Sequence, residues 1–514
     1  MKSLLACLIA ALGVVPLARA EEPAVLYARH CASCHGPDRW GRLGPALLPE
    51  SLERLRAPQI AAVIRDGRPA TQMPSFAGTL AEEDFAALAT WLLRPAAEPP
   101  QWDEEHIRAS REAQPPRPLA RPIHEADPRN LFVVVEQGDH HLSVLDGDRF
   151  TVLARLPTHF AVHGGPKFSP DGRFVYTASR DGWVEKFDLW ALERVAQVRV
   201  GINARNLAVS ADGRFVAVAN YLPHTLVILD ADLEPVKILT ATSRDGKTES
   251  RVSAVYDAAP RRSFVVALKD LPQLWEVSYD EHAAPVYDGL VHDYRMAEAL
   301  GRPGFLHPRR VDLDLVLDDF FFDPSYRRVL GASREGRAQV IDLDVGRPVA
   351  ELALDGMPHL GSGVVFERQG RTLMASTNLQ RPVLSVIDLD DWHTVAEVPL
   401  CGQGFFVRTH ENSRYAFVDG MMTKECRDGI QVLDKETLQI VATLRPEAGK
   451  TFAHVEFTRD GRHALASVME PAPDGALWVI DTQTLQLVRR IPMNKPIGKY
   501  NVANKLERSG GTSH

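Results

Sequence analysis

The chain has 514 residues, 45% of them apolar and 25% charged, with a formal net charge of −8. This composition excludes a disordered or collagen-like chain, and the acidic balance argues against non-specific nucleic-acid binding. The length exceeds what one compact core serves, so two or more domains are expected.

The first 20 residues read as a cleavable signal peptide: Lys2 gives the positive start, Leu4 to Leu17 the apolar run, and Ala18-Arg19-Ala20 the cleavage site. A membrane anchor is the weaker reading, because the run is too short to span and a cleavage site follows it. The mature chain is predicted to start near Glu21, and losing Lys2 and Arg19 takes its net charge from −8 to −10. No later stretch approaches about 20 apolar residues. A periplasmic protein without a membrane span is therefore expected.

Residues 21–95 read as a small all-α unit, with helical patterns over Glu22–His30, Leu52–Asp66 and Glu82–Leu93. Between the first two lies Cys31-Ala32-Ser33-Cys34-His35. Two thiols at this spacing form thioethers with heme vinyl groups, and the following histidine supplies an axial imidazole. A structural zinc site would need two further ligands nearby, and none has that spacing. One covalent heme c is thus predicted on Cys31 and Cys34, with His35 on the iron. Met73, in Thr-Gln-Met-Pro-Ser-Phe, is the expected sixth ligand, a soft thioether that raises the iron potential. His106 is its rival, but it falls in the polar, proline-rich linker of residues 96–124, which is expected to lie over a surface.

From residue 125 the pattern changes to short β-type runs. A strand ending in aspartate recurs at Asp146, Asp188, Asp230, Asp342, Asp388, Asp434 and Asp481, with a degenerate copy ending at Ser278. The steps are 42, 42, 48, 64, 46, 46 and 47 residues. Turn phrases of the form Ser-Pro-Asp-Gly-Arg start at Ser169, Ser210 and Thr458. A repeat of about 40–50 residues holding four short strands is the signature of a propeller blade. The fold class is therefore mainly β, an eight-bladed β-propeller over residues 125–514 behind the all-α cytochrome. The longest step holds roughly 20 surplus residues, around Val291–Leu300 and Phe305–Arg310, and insertions of that length often serve a ligand. Cys401 and Cys426 fall between strands, and two readings stand: a bridge between neighbouring blades, or two free buried thiols.

The segment Phe160-Ala-Val-His-Gly-Gly-Pro-Lys-Phe-Ser-Pro-Asp-Gly-Arg resembles the stretch of the cytochrome cd1 nitrite reductases that bears the proximal histidine of heme d1. Ser179-Arg-Asp-Gly-Trp, Lys186-Phe-Asp-Leu-Trp, Gly201-Ile-Asn-Ala-Arg, Gly356-Met-Pro-His-Leu-Gly-Ser-Gly and Pro496-Ile-Gly-Lys-Tyr-Asn-Val extend the similarity over nearly all of residues 125–505. The resemblance implies His163 as proximal ligand of a d1-type tetrapyrrole and His359 on its distal face. It also implies Arg180 and Arg205 at the mouth, where guanidinium forks suit the ring carboxylates. One departure matters. The reductases use two distal histidines, and Asp318, in Val316-Leu-Asp-Asp-Phe-Phe-Phe-Asp-Pro, stands where the second should fall.

The chain is more similar to the paralogous dihydro-heme d1 dehydrogenases of denitrifiers, down to the ending Ser-Gly-Gly-Thr-Ser-His. That likeness implies oxidation of one propionate of dihydro-heme d1 to an acrylate, with the covalent heme c as electron sink. His454 is expected as the base, with an ordinary pKa near 6.5, and Tyr500 as its partner. Nitrite reduction and non-catalytic carriage of heme d1 are the alternatives. A small electron-acceptor protein and a transient complex with cytochrome cd1 nitrite reductase are the implied partners, with no nucleic acid.

Overall fold

Each aspartate-terminated phrase ends the third strand of a four-stranded antiparallel sheet, and the aspartate itself caps the turn into the outer strand. Asp146 Oδ1 accepts from the backbone N–H of Asp148 (2.8 Å) and Arg149 (3.0 Å), and Asp481 Oδ1 from those of Gln483 (3.0 Å) and Thr484 (2.8 Å). In the degenerate copy Ser278 Oγ takes this role, accepting from Asp280 N at 3.1 Å. The Ser/Thr-x-Asp-Gly phrases turn the first strand into the second. Ser210 and Thr458 donate to Asp212 (2.6 Å) and Asp460 (2.7 Å), while Gly213 and Gly461 take φ of 72° and 73°, the left-handed region that favours glycine.

Described in this computed structural model are residues 21–42, 44–52, 55–67, 73–96, 100–159, 162–287 and 301–508. The signal peptide, the Val291–Leu300 part of the insertion and the terminal Ser509–His514 lie outside the described residues.

Eight sheets form the propeller. The inner strands of blades 2 to 8 are Val162–Phe168, Asn203–Val209, Val252–Ala258, Asp319–Phe322, Val364–Arg368, Val407–Thr409 and Phe452–Phe457. Blade 1 closes the ring: its inner strand, Pro496–Asn501, comes from the far end of the chain and pairs with Leu131–Glu136, Tyr500 opposite Val133. Alternating apolar side chains pack between adjacent blades, as Val216, Val218 and Val227 do against Tyr176, Val184 and Val198. One face, the mouth, carries the starts of the inner strands. The insertion joins Gln273–Ser278 to Pro308–Asp312, the third and outer strands of blade 4, so its described ends lie on the face opposite the mouth.

The cytochrome packs helices Pro23–His30, Ala57–Asp66 and Glu82–Leu92 around Leu26, Ile60, Ile64, Phe85 and Leu88. The expected helix from Leu52 is broken. Leu52 ends a separate turn, Pro49–Leu52, because Pro58 lacks an N–H and its ring would clash with a preceding helical turn. The linker is more structured than its composition suggests. Asp103 caps a helix, Glu104–Ser110, whose Ile107 is fully buried against blades 2 and 3, and Glu112–Ala113 adds a fifth strand to blade 2. Trp102 donates to the Arg199 carbonyl at 2.8 Å and the Arg199 guanidinium, 4.5 Å over the Trp102 ring, also reaches the Trp40 carbonyl. Ala46 and Leu48 pack on Ile202 and Leu222. These contacts seat the cytochrome over the mouth beside blades 2 and 3.

Cys401 and Cys426 form a disulfide, Cα–Cα 5.9 Å, tying the exit of blade 6 to a loop of blade 7. Among the described residues no helix is long and apolar enough to cross a membrane.

Candidate active site

His35 is buried and its Nδ1 lies 2.8 Å from the Pro45 carbonyl. An Nδ1–H donated there leaves the Nε2 lone pair for a metal. His35 and Met73 line one cavity of about 300 Å³, walled by Leu47, Leu52, Ile60, Val63 and Ile64. Two cysteines one helical turn apart, an imidazole, a thioether and apolar walls fit a c-type heme. His106 does not line this cavity: it lies in the linker helix with its Nδ1 2.7 Å from Asp103. The cavity is completed by Arg180, Ile202, Asn203 and Tyr221 of the propeller, so the heme c site opens onto the mouth.

At the mouth His163 is the second residue of the inner strand of blade 2. Its Nδ1 is 2.8 Å from the Arg205 carbonyl, and its Nε2 is 3.1 Å from both Arg180 Nη2 and Arg205 Nη1. Gly164, with φ 80°, lets the strand press against blade 3, since a Cβ there would stand 2.5 Å from that of Asn206. Arg180 thus touches His163 and borders the heme c cavity, linking the two sites. His359, just ahead of blade 6, is 8% exposed and repeats the pattern, its Nδ1 2.8 Å from the Phe405 carbonyl and 2.9 Å from Ser362 Oγ. Burial pushes its pKa down to about 4, so it is neutral at physiological pH. Both histidines have Nδ1 on a backbone carbonyl, which puts the lone pair on Nε2; at His163 that lone pair faces the Arg180 and Arg205 guanidiniums, which a metal bound there would have to displace.

The wall continues from His359 through Phe405 (4.1 Å between ring centres) and Phe406 to His454 (4.6 Å) and Tyr500 (5.3 Å). His454 sits at a bulge with φ 52°, and its Nε2 is buried without a partner among the described residues. The expectation of an ordinary pKa is corrected: burial first, then the charges of Lys499, Arg408 and Lys505, push it well below 6.5. Lys499, fully buried, places Nζ 3.3 Å from His454 Nδ1 and donates to the His454 carbonyl. Burial also holds the Lys499 ammonium far below its usual range. Lys499 stands on the Nδ1 side of the ring, while Nε2 on the other side is the buried atom that faces no partner among the described residues. Burial pushes the Tyr500 phenol up, so it stays protonated.

Asp318 is tied to Lys269 and lies 2.9 Å from Arg334. Burial alone would raise its carboxyl, but these two cations outweigh burial and hold it at about 2. It is a fixed carboxylate and not a proton donor. Sequence reasoning missed Lys499, the Phe405–Phe406 wall and the Lys269–Arg334 clamp. Only Lys499 carried a signal, as the neighbour of Tyr500 in the quoted Gly-Lys-Tyr-Asn.

A covalent-heme domain docked on the mouth of an eight-bladed propeller, with paired histidines there, defines a cytochrome of the c-plus-d1 class. Residues 126–289 and 301–505 match the family described as the cytochrome D1 heme domain, and residues 18–92 match the cbb3-type cytochrome c oxidase subunit III family. The chain belongs to the cytochrome d1 heme-domain family and, within it, to the dihydro-heme d1 dehydrogenases, oxidoreductases of heme d1 biosynthesis. It is 52% identical over 509 residues to the dihydro-heme d1 dehydrogenase of Pseudomonas aeruginosa, covering 98% of each chain. The solved structure of dihydro-heme d1 dehydrogenase NirN in complex with DHE matches with TM-score 0.85 and 52% identity, over 94% of this chain and 100% of that one. The nitrite reductase of Stutzerimonas stutzeri is 25% identical over 98% of each chain.

Proposed function

We propose that this protein, exported to the periplasm, oxidises one propionate of dihydro-heme d1 to an acrylate. The side chain –CH₂–CH₂–COO⁻ becomes –CH=CH–COO⁻ and releases two protons and two electrons. His163 holds the substrate iron from the proximal side, and His359 covers the distal side. Arg180 and Arg205 orient the ring carboxylates. His454 takes a proton at Nε2 while Lys499 fixes its tautomer, and Tyr500 orients the reacting group through its hydroxyl. Heme c, when bound at Cys31, Cys34, His35 and Met73, supplies one-electron acceptance, and the electrons pass on to a small acceptor protein. Product handover to cytochrome cd1 nitrite reductase completes the role.

The observation that carries this reading is the buried, unpartnered Nε2 of His454 beside Tyr500, on the wall shared with His359. The fixed charge of Asp318 speaks against nitrite reduction, which needs a second proton donor at that place. The test is to add dihydro-heme d1 to the heme c-loaded protein and follow its visible spectrum. Conversion with concomitant heme c reduction is expected, and binding without conversion would leave a carrier.

A further inference from the structure

Beneath the mouth the propeller gathers basic groups that the proposed chemistry does not use. Arg408, in the inner strand of blade 7, is 5% exposed, and its Nη2 is fully buried without a partner. Among the described residues its side chain makes no hydrogen bond or ion pair. A guanidinium cannot shed its proton, so its burial calls for a counter-charge. Lys167 holds the same place in blade 2, two residues before the turn at Ser169, as Arg408 is before His410. Its Nζ donates to the carbonyls of Gly164 (3.1 Å) and Gly165 (3.3 Å). Lys505 rises from the C-terminal helix Val502–Glu507, its Nζ 5.4 Å from the Tyr500 ring centre.

Glu456 offsets the Arg408 charge through space, but among the described residues no carboxylate comes within ion-pair distance of it. Glu456 holds the same place in blade 8; one oxygen accepts from Asn504 Nδ2 (3.1 Å) and Phe457 N (2.8 Å), and the other is buried without a partner. Asp257 accepts from the Tyr279 hydroxyl at 2.8 Å, and burial pushes its carboxyl up to about 7. The two lysines can answer burial by losing protons, and burial together with Arg408 does hold Lys167 down at about 7. Arg408 has no such escape. It lines, with Glu456 and Asn504, a cavity of about 700 Å³ on the face opposite the mouth. Lys167 and Lys505 line an adjoining one of about 260 Å³, and both cavities share Tyr326 and Leu506.

We propose that this axial chamber is a binding site for a small anion, a carboxylate or an oxyanion, seated on Arg408 with Lys505 and Lys167 beside it. The anion comes from one of two sources: a ring carboxylate reaching down past Tyr500, or a free ion entering from the opposite face. The first source rests on the substrate proposed above; the site itself does not.

Crystals of the full heme c-loaded chain soaked in sodium bromide test the site without tetrapyrrole or turnover, so its failure is separable from failure of the proposed reaction. Anomalous density for bromide is expected within hydrogen-bond reach of Arg408, lost in Arg408→Gln and kept in Arg408→Lys, with the heme c spectrum as the control for folding. Spectral titration with dihydro-heme d1 separates the sources. Ring binding weakened about 10- to 100-fold in Arg408→Gln, and by bromide in the wild type alone, assigns a ring carboxylate. Bromide that stays with the ring bound, at unchanged ring affinity, assigns a free ion. Absence of bromide at Arg408 together with equal ring affinity in wild type and Arg408→Gln overturns the proposal.

Discussion

Two histidines at the mouth, His163 and His359, are anchored through Nδ1 by backbone carbonyls, and a third, His454, has its Nδ1 3.3 Å from the Lys499 amine. The anchoring sets the tautomer, and the tautomer sets what each ring can do. His163→Ala is expected to abolish stable ring binding while the heme c spectrum stays intact; unchanged affinity would remove it as the proximal ligand. His454→Ala should bind dihydro-heme d1 but convert it about 10²- to 10⁴-fold more slowly, the usual span for a positioned base. Tyr500→Phe should lose less, and the double variant less than the product of the two, because both act on one proton transfer. Since burial holds His454 well below 6.5, it is already unprotonated at neutral pH. Lowering the pH from 8 through 6.5 therefore should not protonate it, and a kcat/KM profile that fell through 6.5 would count against it as the base. The placement of His163 and His359 at the mouth was legible because each lies in a segment long enough to be matched. Phe406 and Arg408 were not, and Lys499 only as a neighbour of Tyr500, because their meaning arises where inner strands about one repeat apart converge on the axis.

At the scale of elements, turn chemistry made the blades legible. An aspartate at the end of the third strand and an Asp-Gly after the first are local signals, satisfied within a few residues. The linker helix was hidden for the opposite reason: Ile107 and Trp102 are stabilised by blades 2 and 3, which the segment's own composition does not reveal. Trp102→Ala should loosen the cytochrome from the mouth and slow substrate-dependent heme c reduction in stopped flow, with ring affinity unchanged. The disulfide between blades 6 and 7 joins cysteines 25 residues apart, worth about 3.5 kcal/mol in the chain-entropy account. Cys401→Ser with Cys426→Ser should lower the thermal midpoint and increase hydrogen exchange at the adjoining loops first. Equal midpoints would make the bridge dispensable.

For the whole molecule, the placement of two sites matters more than either alone. Acid–acetone extraction should leave one heme on the chain, held by the thioethers of Cys31 and Cys34, and remove any propeller-bound ring; loss of all iron porphyrin would refute the motif. The same molecule is expected to turn over nitrite far more slowly than a cytochrome cd1 reductase, because Asp318 stays ionised down to about pH 2. The closing strand, Pro496–Asn501, also has a consequence in time. It pairs with Leu131–Glu136 across most of the chain's length, and it carries Tyr500 and Lys499. Ribosomes make the first partner hundreds of residues before the last, and the contact cannot form until both exist. The cytochrome's sequence is complete by about residue 95, while the wall around His454 still lacks two of its side chains. A chain cut short anywhere before Lys499 is thus an open ring, and on the roles proposed for Lys499 and Tyr500 no partly made protein could start the reaction.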